Sequence, residues 1–357
     1  MDFKLDDSQI AVRDLARQIL DDRSTPERLR ALEADGVTLD RELWSELANA
    51  GLIGIGLPEE YGGGGLGFVE VGLLLTEAGR HTAKLPLLPT ITTGQALSEF
   101  GPAELAAEVL PGVCEGQTFL TAALSTFPDP PLTAGSDGAI SGSVSFVPAG
   151  MAADRILVFV DGAGAFLLDP AASGVSRQPQ LAADGSVEAR LTLEGVSPLA
   201  RLNGDAAAIR EWLRLRTTAG LCALAAGITE VALDMTTEYA RERQQFGKPI
   251  ASFQAVAQRA ADGFIDVKAI RLSALSACWR VASGLPSAEA VAVAKFWAAD
   301  GGRRVLHAAQ HIHGGIGVDR DYPLHRYFLA FTQCELTLGG ASEQLLRLGD
   351  ELAAVPA

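Results

Sequence analysis

Three patterns are missing from this 357-residue chain, and each absence removes a class of function. The four cysteines, Cys114, Cys222, Cys278 and Cys334, stand far apart, so there is neither a CxxC metal or redox motif nor the disulfide framework of a secreted protein. Buried thiols in a reducing compartment are expected. Positive charge is scarce: 29 basic side chains against 44 acidic ones leave a net charge of −15. That argues against a nucleic-acid partner, which needs positive potential over a broad face, but leaves room for a small anionic ligand held by a few well-placed arginines. The segment MDFKLDDSQI has neither a basic n-region nor an apolar h-region, and the longest apolar stretch, near residue 220, is broken by Thr229 and Glu230. No membrane span is expected, and the location is expected to be cytoplasmic. No internal repeat or low-complexity tract occurs.

What is present organises the chain into parts. Its length exceeds one compact core, and an apolar content of 48% is enough to fill two or three. Val12, Leu15, Ala16, Ile19 and Leu20 share one helical face, and Asp6 with Gln9 has the spacing of a capping box. Similar patterns at 40–50, 67–81 and 102–110 are separated by the turn-like stretches LPEEYGGGGLG and KLPLLP. The runs AISGSVSFV, RILVFV, AFLLD and ARLTLEGV, spaced by Gly, Asp, Pro and Ser, read instead as a small antiparallel barrel or sandwich. Helical periodicity returns after Asp205: one stripe runs from Ile209 to Met235, a second helix spans about 252–283, and a third follows Pro286 with Ser287 as its N-cap. The Ala and Gly residues on these stripes favour the close packing of a bundle of about four helices.

Three stretches carry residues suited to chemistry. In RERQQFGKPIASFQ, Arg243 offers a planar fork of donors for a phosphate or pyrophosphate, Phe246 offers an aromatic edge, and Gly247 before Pro249 ends the helix. An ordinary helix C-terminus remains the alternative reading. In QHIHGGIGVDRDYP, Gly314 and Gly315 let backbone amides approach an anionic or flat ligand, or else form a C-cap and turn. His307 and His311 stand four apart like a metal pair, but no Glu lies between them as in HExxH, and no metal is expected. Gly62, Gly64 and Gly67 formally match GxGxxG; LPEEY precedes them in place of a buried strand, and Glu59 and Glu60 would repel a pyrophosphate, so a flexible turn is expected.

Taken in order, LPEEYGGGGLG, RQQFGKPIASFQ and IHGGIGVDRDYP resemble the three signatures of the acyl-CoA dehydrogenase family along nearly the whole chain. The resemblance implies an α+β, mainly α, fold: a helical N-terminal domain (1–117), a β-barrel or sandwich middle domain (118–202) and a C-terminal four-helix bundle (203–357). It implies FAD at a subunit interface, with Arg243 reaching the pyrophosphate, Phe246 near the adenine end, and Gly314 and Gly315 against the cofactor. Gln254, which closes the central signature, and His311, at a position usually held by glutamine, are placed with the cofactor as well. Ser125 stands roughly where a flavin-contacting threonine is usual. The implied substrate is an acyl-CoA, which loses an α proton to a base and a β hydride to the flavin.

The base is what this chain lacks. A glutamate commonly precedes a GT pair in the family's C-terminal loop; the matching stretch here is GGAS, with Gly339, or Leu338 in the alternative alignment, at the glutamate's place and Ala341 at that of the threonine. Other members carry the base on the first bundle helix, where this chain has Thr217. Glu211, Glu335 and Glu343 are the nearest carboxylates, each expected to be a solvent-facing or capping residue. The resemblance therefore points to the base-lacking subunit of a heteromeric enzyme of the steroid side-chain type, completed by a homologous acyl-CoA dehydrogenase subunit. Alternatives are a homomeric flavoenzyme with an unconventional base or another substrate, and a scaffold without turnover.

Overall fold

The computed structural model describes residues 4–354. Helix α1 (Asp7–Arg23) starts on the expected capping box: the Gln9 amide donates to Asp6 Oδ1 at 2.9 Å, and the Asp6 amide donates to Gln9 Oε1 at 3.2 Å. Helices α2 (Pro26–Ala34), α3 (Arg41–Asn49), α4 (Phe68–Arg80), α5 (Leu87–Phe100) and α6 (Ala103–Cys114) follow. Periodicity does not predict α2 or α5. KLPLLP starts a helix rather than making a turn, because Pro86 sits at the N-cap and Pro89 in the first turn, where amide groups have no intrahelical acceptor to lose. Residues on every side of α5 are buried, from Leu87, Leu88 and Ile91 to Thr90, Thr92 and Thr93, so no amphipathic stripe betrays it.

Two four-stranded sheets form the middle of the chain. One has the order β1 (Leu120–Ala122), β4 (Arg155–Val160), β5 (Gly164–Leu168), β8 (Ala200–Arg201); the other runs β2 (Thr133–Ala134), β3 (Ile140–Val147), β7 (Val187–Val196), β6 (Val175–Leu181). All pairings are antiparallel except β1 with β4, which is parallel and departs from the expected antiparallel pattern. Ile156, Val158, Phe166 and Leu168 of the first sheet share one buried cluster with Ile140, Val147, Leu191 and Leu193 of the second, which makes a sandwich. Strand β6 reads VSRQPQL, without apolar alternation and with Pro179 inside it. It is an edge strand, where a missing amide costs no ladder bond. AGSDG turns tightly between β2 and β3, with the Gly135 amide donating to the Ala139 carbonyl at 2.9 Å.

The C-terminal part comprises α7 (Ala206–Glu242), a short hairpin of β9 (Gln244–Gln245) and β10 (Lys248–Pro249), then α8 (Gln254–Ala282), α9 (Ala288–Phe296), α10 (Gly302–His313), α11 (Leu324–Leu336) and α12 (Ala341–Ala353). The expected third helix is α9 and α10 joined by a π-helical turn at Trp297–Gly301; the Phe331 ring lies 2.2 Å from where a Gly302 side chain would begin. Ser287 holds the N-cap position but makes no capping hydrogen bond through its side chain. By length and composition α7 could cross a membrane, yet 67% of its most apolar stretch is buried against the rest of the chain. All four cysteines are free and buried.

Contacts divide the chain into two units. The first holds the chain up to Ile19, Arg30–Val71 and Lys84–Thr217; the second holds Leu20–Leu29, Gly72–Ala83 and the chain from Thr218 onward. In the second unit, glycine permits a backbone-to-backbone crossing of α4 and α7. A Cβ on Gly227 would lie 2.0 Å from the Thr76 carbonyl oxygen, and one on Gly79 would lie 2.2 Å from that of Leu224. Neither obstacle is a side chain that could rotate away. Gly227→Ala should therefore destabilise the fold by about 1–3 kcal/mol or more through overpacking, read as a lowered midpoint in thermal or denaturant unfolding.

Candidate functional site

The second unit brings two of the glycine-bearing stretches to one end of its helices. Helix α7 ends at Glu242, five residues before Gly247, so the helix stop expected at Gly247 lies earlier; the chain turns back instead in the β9–β10 hairpin. Its turn residues, Phe246 and Gly247, have φ of 53° and 76°, the paired left-handed geometry of a tight hairpin. Glycine accepts this freely, whereas phenylalanine does so at a cost of about 1 kcal/mol. The Phe246 ring is nonetheless 91% exposed, with only an edge-on approach to Phe253 at 6.2 Å. Arg243 is exposed at the hairpin base, where its amide donates to the Tyr239 carbonyl and its carbonyl accepts from the Ile250 amide, each at 2.8 Å.

One turn before Arg243, the Tyr239 ring stacks on His313 with centroids 4.4 Å apart and planes 21° apart. His313 is the last residue of α10, directly before Gly314, which has φ 63° and ψ −138°. The imidazole is 3% exposed. Its Nδ1 is 2.8 Å from the Ala309 carbonyl and so carries the proton; its Nε2 accepts from the Tyr322 hydroxyl at 3.1 Å. Burial holds the imidazole below its ordinary pKa, in keeping with this neutral tautomer. A side chain on Gly314 or Gly315 would meet nothing within 4 Å, so the backbone there stands open to a ligand.

Gln254 begins α8 and His311 lies in the last turn of α10; both are exposed in the same unit. Ser125 belongs to the first unit, half-buried, with its hydroxyl accepting from the Phe127 amide at 3.0 Å. His307 packs edge-on against the Phe328 ring at 5.3 Å, and among the described residues no group of three or more His, Cys, Asp or Glu is placed to hold a metal. The glycine run at 62–67 is a packed turn, not a flexible one. Amides of Gly63, Gly64 and Gly65 donate inward to the carbonyls of Pro58, Gly54 and Leu57, and a Cβ on Gly63 would lie 2.2 Å from the Leu57 oxygen. No amide of those three is left for a phosphate.

Neither expected base position holds a proton acceptor suited to a weak carbon acid. Thr217 is half-buried, its hydroxyl 3.5 Å from that of Thr92; beside it the Arg216 guanidinium lies 3.3 Å over the Trp212 ring, and burial lowers its pKa to about 10. Leu338 and Gly339 are buried with φ of 58° and 94°. A Cβ on Gly339 would fall 2.4 Å from the Glu343 carboxylate. The three nearby carboxylates are all ion-paired: Glu211 with Arg214 at 2.5 Å, Glu335 with Arg303, and Glu343 with Arg347 at 3.0 Å.

Two residues that sequence reasoning passed over hold this loop. Lys295, 1% exposed, donates to the Cys334 carbonyl and to that of Glu335 at 3.2 Å, capping the end of α11; burial lowers its pKa. Gln344, fully buried, donates to the Leu338 and Gly339 carbonyls at 2.9 and 3.2 Å. A lysine inside an otherwise apolar stripe, AVAKF, is the one signal that could have pointed to the cap.

Comparison with known proteins places this geometry. The description "Acyl-CoA dehydrogenase, N-terminal domain" matches residues 6–117, and "Acyl-CoA dehydrogenase, C-terminal domain" matches 215–351. Acyl-CoA dehydrogenase FadE27 of Mycobacterium tuberculosis is 40% identical, with all of both chains covered. This chain belongs to the acyl-CoA dehydrogenase family. Among solved structures, the ChsE4–ChsE5 complex from Mycobacterium tuberculosis superposes with a TM-score of 0.95 at 40% identity over 100% of both chains. A variant of the Tcur3481–Tcur3483 steroid acyl-CoA dehydrogenase does so with 0.91 at 41% identity, over 97% of this chain and 98% of that one.

Within an acyl-CoA dehydrogenase fold, the 337–340 loop is thus built to close on its own chain. Left-handed backbone at Gly339 opposes a side chain there, whereas the adjacent Glu343 carboxylate ends a flexible side chain that can turn aside. Gly339→Glu should therefore destabilise the protein by about 1–2 kcal/mol, from φ strain, rather than install a working base. Thermal unfolding checks the first outcome, and acyl-CoA-dependent flavin bleaching of the purified variant checks the second.

Proposed function

We propose that this chain is one subunit of a two-component acyl-CoA dehydrogenase, contributing Arg243 and the Gly314–Gly315 turn to FAD while a homologous partner supplies the base and most of the acyl pocket. The observation that carries this reading is a mismatch between two halves of one machine. The gripping half is intact: an exposed guanidinium, an aromatic ring held out at 91% exposure on a strained turn, and a glycine pair with open space above it. These are the donor chemistry and the free backbone that a dinucleotide's charged middle requires. The proton-accepting half is absent at both Thr217 and Gly339. Gln254, His311 and Ser125 are assigned to the cofactor with them, and FAD when bound accepts the β hydride of the thioester.

The relatives support the heteromeric form, since ChsE4–ChsE5 and Tcur3481–Tcur3483 are both named as pairs. The substrate class is the acyl-CoA of a steroid side chain, after the steroid enzyme among them. The chain divides into helical (1–117), β (118–202) and bundle (203–357) domains, and acts in the cytoplasm.

A second reading has one observation in its favour. Glu343 places its carboxylate against the point where a Gly339 side chain would start, so a homomeric enzyme could use Glu343 as an unconventional base. That carboxylate is already paired with Arg347 at 3.0 Å. Coexpression with the homologous partner decides between the two: the heteromeric form predicts a chain that becomes yellow and active only with that partner, and a yellow, active homomer would favour Glu343. In the complex, Arg243→Ala should weaken FAD binding roughly 10–100-fold, the worth of a lost charge-assisted contact, measured as flavin per protein after dilution. Unchanged occupancy would show the clamp to be misassigned.

A further inference from the structure

Arg243 and Gly314 lie 71 residues apart in sequence, and one buried imidazole lies between their two stretches. We propose that His313 is a positioning residue for FAD: its neutral ring, stacked on Tyr239 and accepting from Tyr322, sets the Arg243 hairpin against the Gly314–Gly315 turn. This rests on the reading that those two stretches contact FAD.

The geometry leaves the ring little freedom. Tyr239 covers one face at 4.4 Å, Tyr322 lies tilted at 5.2 Å, and the two ring nitrogens are engaged in opposite senses, Nδ1 donating to Ala309 and Nε2 accepting from Tyr322. The Tyr239 hydroxyl in turn approaches the His313 carbonyl at 3.5 Å, on the peptide that leads into Gly314. From Tyr239 one helical hydrogen bond leads to Arg243; from His313 one peptide bond leads to the glycines. A rotation of the imidazole would therefore be felt at both grips. By contrast, no ring or ion pair ties the exposed Arg243 side chain itself in place within the described residues.

Protonation is the natural way to break the arrangement, because an Nε2–H can no longer accept from Tyr322. Burial opposes that charge and depresses the His313 pKa below 6.5. Burial, and then Tyr239, Glu238 and Glu242 on α7, raise the pKa of the Tyr322 hydroxyl that donates to the ring. The sign follows directly. Since the folded pKa lies below the unfolded one, the neutral ring's contribution is complete above about 6.5 and declines as pH falls from there through the folded value.

The test uses the reconstituted complex with its partner and follows FAD release by the recovery of flavin fluorescence across pH, alongside the melting temperature. Wild-type protein should release FAD faster as pH drops below about 6.5. His313→Phe, which keeps a ring for Tyr239 to stack on, should remove that pH step, and Tyr322→Phe, which deletes a single hydroxyl, should speed release about tenfold at neutral pH, the loss of one hydrogen bond. A step that persists unchanged in His313→Phe, or release unaltered in Tyr322→Phe, would overturn the proposal. Arg243→Ala separates the two levels: if it weakens FAD while the ring variants do not, only the role of His313 fails, and if it too has no effect, the underlying FAD assignment fails.

Discussion

The left-handed backbone at Leu338 and Gly339 constrains what this chain can do more than any other feature. A backbone at φ 94° strains any side chain placed at this expected base position, although the Glu343 carboxylate 2.4 Å from the missing Cβ ends a flexible side chain that could turn aside. The surroundings reinforce the closure. Gln344 holds the loop carbonyls from one side, Lys295 caps the preceding helix from the other, and Arg303 neutralises Glu335 between them. Both carboxylates of this segment, Glu335 and Glu343, are thus engaged with arginines of the same chain.

The opposite economy governs the end of α7. There the protein leaves polar and apolar groups unsatisfied within the chain: an exposed guanidinium, an exposed ring on a left-handed residue, and glycines that face open space. Such features persist when something outside the chain rewards them. Beneath them lie the Tyr239–His313–Tyr322 cluster and, further along α7, the glycine crossing with α4.

Much of the helical frame was legible because local chemistry and tertiary environment agree there. The capping box at Asp6 and the long helix α7 both fall where pattern and propensity coincide. Helix α5 and strand β6 were not legible for opposite reasons. The first is buried on all sides and so shows no period, and the second is exposed at an edge, where polar residues and Pro179 are tolerated. The parallel pairing of β1 with β4 links residues more than 30 apart and leaves no local trace. In the candidate site, the residue types were readable from three short motifs, whereas the inward hydrogen bonding of Gly63 to Gly65 was not.

By itself, the sequence determined which chemistry is available: the presence of Arg243 and the paired glycines, the lack of a carboxylate at 217 and 339, and the absence of a broad basic surface. These are properties of residue type, unaffected by folding. Only the tertiary structure decided whether the remaining acids are free, because ionisation and pairing depend on neighbours brought together through space. It also decided that His313 would be buried, neutral and shared between two distant stretches, since desolvation and ring stacking arise only once α7 and α10 have packed.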